Sequence, residues 1–115
     1  MISGKAWGAT QLIFKNENFE VHRIDIMPNC FCSKHKHEYK HNIFYIEEGL
    51  LFVKVWKKDY DLIDITSLEK GQMMDVSPGE FHQFSTQDKP VVAYEIYYSK
   101  PIGGDIIRET CGGRT

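Results

Sequence analysis

The sequence has little of what defines the specialised classes of protein. Its 115 residues include three cysteines, an odd and low number that does not fit a disulfide scaffold. No apolar run approaches the roughly 20 residues that cross a bilayer, and the first five residues lack the apolar stretch of a secretory signal. Fourteen basic and sixteen acidic residues nearly cancel without a block of one sign, which excludes nucleic acid and anionic membrane as favoured partners. These absences predict a reduced, soluble, cytoplasmic protein.

What is present suffices for one folded domain, predicted over residues 1–115. Hydrophobic residues make up 42% of the chain and aromatic residues 13%, a composition that excludes disorder. Short β-like segments alternate with turn residues, and no long window has helical periodicity, so the predicted fold class is all-β. The predicted strands cover 11–15, 19–27, 32–37, 42–47, 51–57, 61–67, 73–76, 82–85 and 91–99.

The apolar pattern also predicts which strand faces are buried. Segment 43–46 is apolar on both faces and is expected to lie deep in the structure. Strand 51–57 is expected to place its odd-numbered residues in the core. In strand 91–99 the even-numbered residues from Val92 to Tyr98 form the more apolar face, which is predicted to pack in the core. A small β-protein must cover its sheet edges, and a double-sheet barrel does so.

The most informative segment is 33–42, which contains three of the five histidines. Alternation along a strand places Lys34 and Lys36 on one side and His35 and His37 on the other. Because lysines belong in water, the two imidazoles are predicted to face a partly enclosed interior. Neutral imidazole suits Zn, Cu, Fe and Ni, so these histidines are a candidate pair of metal ligands.

A third candidate ligand, His82, follows a strand and a Pro78-Gly79 corner that can aim its ring at a fixed point. Three histidines from two distant strands could form a facial cap on one divalent ion. The plainer alternatives are surface histidines among lysines and a hydrogen-bonded core histidine at position 82.

Cys30 and Cys32 are a second, weaker metal candidate, because thiolates near histidines can hold zinc. No second cysteine pair accompanies them, so small thiols packed in a strand are the favoured interpretation. His22 stands apart from both histidine segments and is predicted to be a surface or core residue.

The spacing of these residues resembles the two motifs of the cupin family. The first motif is matched by Asn29, His35, His37, Asn42 and Gly49. Gly71, Gly79 and His82 keep the spacing of the second motif, and its proline is displaced by one place to Pro78. Asn29 stands where the family has glycine, and asparagine can also adopt the left-handed conformation. Segments 5–8, 19–24 and 104–108 are similar, in the same order, to the cupin domain of type II mannose-6-phosphate isomerases.

This resemblance implies a double-stranded β-helix, or jelly-roll barrel, that often forms a homodimer. It also implies a divalent ion held by His35, His37, His82 and a fourth ligand. Where the family usually has glutamate this chain has Asn42, and a slip of one residue would substitute His41. The expected cofactor is Zn²⁺, Ni²⁺, Fe²⁺ or Mn²⁺. Neutral ligands are expected to bind the hard ions Mg²⁺ and Mn²⁺ more weakly than Zn²⁺, Ni²⁺ or Fe²⁺.

The resemblance further implies that Arg23 and Glu95 reach into the barrel and that Arg23 contacts an anionic group of a small-molecule ligand. Tyr39 is a candidate for the cavity mouth. For Arg23 and Glu95 a solvated surface pair is an equal alternative, and for Tyr39 ordinary packing is.

Three functions remain open at this point. One is a metal-dependent enzyme acting on a small sugar phosphate or related carbonyl compound. The others are a non-catalytic small-ligand binder and an Fe²⁺-dependent, dioxygenase-type cupin.

Overall fold

The computed structural model describes residues 2–57, 61–99, 109 and 111–114, and the regular structure in these residues is β. The strands are β1 (Ile2–Lys5), β2 (Gly8–Lys15), β3 (Phe19–Ile26), β4 (His41–Glu48), β5 (Leu51–Lys57), β6 (Leu62–Leu68), β7 (Met73–Val76), β8 (Phe81–Ser85) and β9 (Val91–Tyr98). This part of the chain contains no helix that is long and apolar enough to cross a membrane.

The strands form two antiparallel sheets. The larger has the order β1-β2-β3-β9-β4-β7, and the smaller has the order β6-β5-β8. Side chains alternate across each strand, so the central strands give one face to the interior between the sheets, while all four residues of edge strand β1 are exposed. The predicted all-β, double-sheet architecture is confirmed.

The core lies between the two sheets. Leu51, Val53 and Val55 of β5 are at most 1% exposed, which confirms the prediction for that strand. Removing this apolar surface from water is the main force holding the sheets together. The buried apolar residues are Ile24, Ile26, Cys32, Phe44, Ile46, Leu51, Val53, Val55, Leu68, Val76, Phe84, Val91 and Ala93.

The prediction that segment 43–46 is buried on both faces is wrong. Phe44 and Ile46 are fully buried, but Tyr45 between them is 42% exposed and Ile43 is half-buried. An antiparallel sheet in a two-layer protein can pack one face on the core and leave the other in water. Tyr45 occupies the outer face, where its hydroxyl can stay hydrated.

In β9 the structure reverses the predicted faces. Ala93 and Glu95 point inward and are 0% and 7% exposed, whereas Tyr94 and Tyr98 lie on the outer face. Comparing the apolarity of the two faces failed because a tyrosine ring can cover a sheet surface while its hydroxyl reaches water. The consequence is that an ionisable side chain, Glu95, lies in the interior.

The strand boundaries mostly agree with the prediction, with two differences. Segment 32–37 is not a continuous strand but touches β8 through isolated bridges, one of which pairs His35 with His82. Strand β1, paired along β2, was not predicted. The segment 104–108, predicted to close the domain, lies outside the described residues.

Candidate metal centre

The three predicted histidines are brought together by backbone pairing. The N–H of His35 donates to the carbonyl oxygen of His82 at 3.1 Å, and the N–H of His82 donates back at 2.8 Å. The N–H of Gly79 donates to the carbonyl oxygen of His37 at 2.7 Å. Gly79 has φ 81°, a left-handed conformation that glycine adopts without strain, so the Pro78-Gly79 corner is built as the sequence indicated.

The histidine cluster consists of His35, His37 and His82, whose candidate ligand atoms all lie within 4.8 Å of one another. The ring centroids are 4.5 Å apart for His35 and His82, 5.3 Å for His35 and His37, and 5.6 Å for His37 and His82. The prediction that imidazoles distant in sequence converge in space is confirmed.

The neighbouring lysines lie on the opposite side of the segment, as alternation predicted. The Lys34 ammonium group stands 4.2 Å from the ring centroid of Trp56, and the Lys36 ammonium group is 5.0 Å from that of Phe81. These cation–π contacts keep both charges on the outside.

Backbone carbonyls orient two of the imidazole rings. The Nδ1–H of His35 donates to the carbonyl oxygen of Ser33 at 2.8 Å, and the Nδ1–H of His82 donates to that of Glu80 at 3.1 Å. A carbonyl oxygen can only accept, so in each neutral ring the hydrogen is on Nδ1 and Nε2 carries a lone pair. Metal-binding histidines ordinarily have the ring nitrogen that does not bind the metal held by an acceptor in this way.

Three buried polar atoms at the site have no hydrogen-bond partner among the described residues: His37 Nε2, His82 Nε2 and Asn42 Oδ1. Leaving a buried polar atom unpaired costs about 1–3 kcal/mol, so three together require an explanation. Nitrogen lone pairs and an amide oxygen are all electron-pair donors. One bound cation would satisfy all three, so these residues fit a metal ion.

The protonation states suit the same role. Burial lowers the pKa of His82 to about 4, with a further lowering from the nearby imidazoles of His35 and His37. Burial also lowers the pKa of His37, helped by His35 and by Lys40. Both rings are therefore neutral near pH 7, the form that binds metal.

Of the two predicted fourth ligands, only Asn42 lies on the buried inner face of β4. Asn42 is 1% exposed and pairs in register with Tyr97 and Val76. His41 precedes it on β4 and therefore lies on the other face, where its Nδ1 is 3.2 Å from Asp75 Oδ1 and its ring stacks on Tyr98. A set of three imidazoles and one amide oxygen is neutral, and its nitrogen donors favour Zn²⁺, Ni²⁺ or Fe²⁺ over Mg²⁺.

A cavity of about 350 Å³ opens beside the histidine cluster. His35 belongs to both, so a molecule in the cavity would lie against one of the candidate metal ligands. The cavity is lined by Lys5, Trp7, Thr10, His22, Cys32, Ser33, His35, Phe84, Glu95 and Tyr97.

Glu95 is the acidic residue of this cavity wall. The Tyr97 hydroxyl donates to Glu95 Oε2 at 2.7 Å. Burial raises the pKa of Glu95 to about 7, and the Tyr97 hydrogen bond and the charge of Lys5 only partly oppose that rise. A carboxyl group with this pKa can exchange a proton near neutral pH. The prediction that Glu95 reaches into the barrel is met.

Arg23 and Tyr39 are not part of the cavity wall. The guanidinium group of Arg23 lies on the outer face of β3, 3.3 Å from Asp25 and 3.4 Å from Glu47. The expectation that Arg23 reaches into the barrel is thus corrected: alternation turns His22 inward in its place. Tyr39 is 85% exposed and is neither a packed residue nor one that lines the cavity.

Cys30 and Cys32 behave as packed thiols rather than metal ligands. Cys32 is 5% exposed, its Sγ accepts the backbone N–H of Phe84 at 3.2 Å, and burial raises its pKa to about 11. Cys30 packs against the core and is absent from the histidine cluster. The favoured interpretation from the sequence agrees with this arrangement.

Sequence reasoning missed most of the lining residues, among them Lys5, Trp7, Thr10 and His22. For His22 a signal was available in the alternation of side chains along β3, because His22 and Arg23 are neighbours and must lie on opposite faces. Its Nε2 is 3.2 Å from Glu20 Oε1, and its ring meets that of Tyr97 edge-on. The other three depend on how β1 and β2 are placed against the barrel, which no local pattern records.

No protein-family profile and no curated relative matches the sequence. Solved structures do match. KdgF from Halomonas sp. has a TM-score of 0.74 and 10% identity, covering 88% of this chain and 89% of that one. The cupin domain of Schizosaccharomyces pombe Cnp3 has a TM-score of 0.71 and 15% identity, covering 80% of this chain and 64% of that one.

Lactobacillus farciminis oxalate decarboxylase has a TM-score of 0.78 and 11% identity, covering 90% of this chain. The chain spans 31% of the length of that protein and a similar share of several other matched structures. At these identities the likeness is one of fold, and the fold of this protein is that of the cupins. The narrower similarity to mannose-6-phosphate isomerases gains no support from these structures.

Proposed function

We propose that the protein is a metal-binding cupin that acts on a small carbonyl compound, with a sugar phosphate as the candidate substrate implied by the sequence resemblance. The observation that carries the proposal is the set of buried, unpartnered donor atoms on His37, His82 and Asn42. An inert core would hydrogen-bond such atoms or replace them with apolar groups. A cavity shared with His35 gives a ligand access to the same point.

The ion would be held by His35, His37, His82 and Asn42. When bound, a divalent ion supplies Lewis acidity toward a carbonyl or hydroxyl oxygen and fixes its position. The protein itself supplies the orientation of the ligands, through the carbonyl oxygens of Ser33 and Glu80.

Glu95 is the residue that would move a proton. Its ionised carboxylate would take the proton from the hydroxyl-bearing carbon beside the carbonyl and return it to the former carbonyl carbon. The proton of that hydroxyl group would pass to the former carbonyl oxygen by exchange with solvent, which completes the interconversion of an aldose and a ketose. The Tyr97 hydroxyl holds Glu95 Oε2 at 2.7 Å and thereby sets the direction of the carboxyl group. A pKa of about 7 leaves both protonation states populated at neutral pH.

Elemental analysis of the purified protein tests the metal. We expect about one equivalent of a transition metal in the wild type, little in His35→Ala and His82→Ala, and wild-type content in His41→Ala, the matched outer histidine. Metal retained by both inner variants, or lacking in the wild type after loading with Zn²⁺, Ni²⁺, Fe²⁺ and Mn²⁺ in turn, would contradict the metal site.

Solvent deuterium exchange tests the chemistry. The metal-loaded protein is incubated in D₂O with a panel of aldose and ketose phosphates, and deuterium on the carbons beside the carbonyl is followed by NMR. We expect exchange in the wild type, and its loss in Glu95→Gln with the metal content unchanged. Absence of exchange on every sugar phosphate, with the metal bound, would instead favour a non-catalytic binder.

A further inference from the structure

The cavity beside the histidine cluster has an asymmetric charge. Of the described residues that line it, Lys5 carries the permanent positive charge and Glu95 is the carboxylic acid. His35, a candidate ligand of the ion, lines the cavity from the segment that bridges to β8, and the lysine comes from edge strand β1. A ligand in this space would thus meet cationic groups from two separate parts of the fold.

The ammonium group of Lys5 forms no ion pair with the described residues and acts on Glu95 only at longer range, unlike the cations of Arg23 and Lys40. Arg23 pairs with Asp25 and Glu47, and Lys40 lies 2.8 Å from Glu20. None of the ion pairs found among residues 2–57 and 61–99 includes Lys5. An ammonium group that lines a cavity without a carboxylate partner is available to a ligand.

Glu95 offsets this positive charge only in part. It is buried, its Oε2 accepts the Tyr97 hydroxyl at 2.7 Å, and burial disfavours its ionised form. The carboxyl group therefore does not present a full, free negative charge that would repel an anion.

The remaining walls set the size and the polarity of the ligand. A volume of about 350 Å³ is near the lower end of the range of about 300–1,000 Å³ typical of small-molecule sites. Thr10 and Ser33 contribute hydroxyl groups, while the Trp7 ring packs edge-on against Phe84 at 5.0 Å and forms an apolar wall. The space suits a compact molecule that carries several oxygen atoms.

We infer that the cavity takes a small anionic ligand, bearing a carboxylate or a phosphate, and that the Lys5 ammonium group recognises its negative charge. Anion recognition, which the sequence assigned to Arg23, thus passes to a residue of the edge strand. The inference deepens the proposed function and rests on it only through the shared cavity.

A pair of matched probes tests the inference. Sodium lactate and 1,2-propanediol share a carbon skeleton and a hydroxyl group, but only lactate has a carboxylate; inorganic phosphate serves as the second anion. Each is titrated into ¹⁵N-labelled protein, zinc-loaded and metal-free, while the signals of the Trp7 indole and of the β1 and β2 amides are followed. In both forms we expect lactate or phosphate to bind roughly tenfold more tightly than the diol, about what one charge-assisted hydrogen bond provides.

Variants of Lys5 assign the preference to its charge. Lys5→Gln is expected to remove most of the tenfold preference and Lys5→Arg to retain it. Lys15→Gln, which changes an exposed lysine of β2 outside the cavity wall, is the control and should behave like the wild type. If only lactate or only phosphate is preferred, that result identifies which anion the site takes.

Two results would overturn the inference: anions that bind no more tightly than the diol, or a preference that survives in Lys5→Gln. Either can occur while zinc binds normally, and the proposed metal function then stands. A lysine-dependent preference in a protein that binds no metal would uphold the inference and contradict the proposed function.

Discussion

Two histidines, His41 on the outer face of β4 and His82 inside on β8, show how differently the same side chain can be used. His41 lies on the outer face, where Asp75 and the Tyr98 ring occupy both its polar edge and its ring face. His82 lies inside, with its Nδ1 hydrogen-bonded and its Nε2 buried without a partner. An outer histidine whose Nδ1 and ring face both have partners contributes to the stability of the surface. An inner histidine left partly unsatisfied indicates that a ligand completes it.

The largest expected effect concerns stability in the presence of metal. Zinc at 1,000 times its dissociation constant should raise the free energy of unfolding by about 4 kcal/mol, because only the folded cluster binds it. Chemical denaturation with and without chelator measures this. His41→Ala should show the full increase and His37→Ala almost none. Equal increases in both variants would erase the distinction between inner and outer histidines.

The second effect extends the comparison to carboxylates. Glu95 has a pKa of about 7 in the folded protein against 4.5 as the ordinary value, so the folded state binds more protons between these values. Stability then falls as pH rises from about 4.5 to 7, and Glu95→Gln removes this loss. We expect the variant to gain up to roughly 3 kcal/mol over the wild type between pH 5 and pH 8.

The exposed carboxylate Glu48, at the end of β4, supplies the control for that measurement. Glu48→Gln makes the same substitution outside the interior and should not produce the gain expected of Glu95→Gln. A flat difference between Glu95→Gln and the wild type would show that Glu95 is as well hydrated as the outer acid.

A third prediction sharpens the role of Asn42. Asn42→Asp supplies a charged ligand and should tighten Mn²⁺ binding by roughly tenfold, or about 1.4 kcal/mol. Asn42→Leu keeps the volume but removes the donor oxygen and should weaken binding of every ion. Isothermal titration calorimetry on both variants measures the affinities. No change in either would mean that the amide oxygen faces no metal.

The smallest effect is expected on the outer face. His41→Ala breaks an exposed pair with Asp75 and should lower the free energy of unfolding by less than about 1 kcal/mol. Urea denaturation of the metal-free protein measures it. A loss several times larger would show that the outer cluster helps to hold β4 in place.

Sequence reasoning predicted the fold well because its signals are local. Alternation and turn residues gave most strands, and Asn29 does adopt the left-handed conformation, with φ 56°, that its place in the motif requires. The histidine cluster could be predicted for a similar reason, since alternation fixed the direction of His35 and His37. Because Lys34 and Lys36 must stay in water, the segment had one favoured orientation, with His35 and His37 inward.

The errors came where burial depends on the other layer. Nothing within β9 shows that Ala93, and not Tyr94, faces the second sheet. Which face is buried depends on the side chains of the opposing layer. Glu95 was placed inside only by resemblance, and Arg23 was misplaced by the same route. The cavity wall from Lys5 to Thr10 depends on pairing between β1 and β2, which requires the full strand order.

The division of the ligands between the two sheets has a mechanical consequence. His82 belongs to the three-stranded layer and Asn42 to the six-stranded one. An ion shared by both would act as a cross-link through the middle of the barrel, in the way that a disulfide joins layers in secreted domains. Loading should then slow amide hydrogen exchange in β8 and β4 together, because the ion would tie the opening of one layer to that of the other.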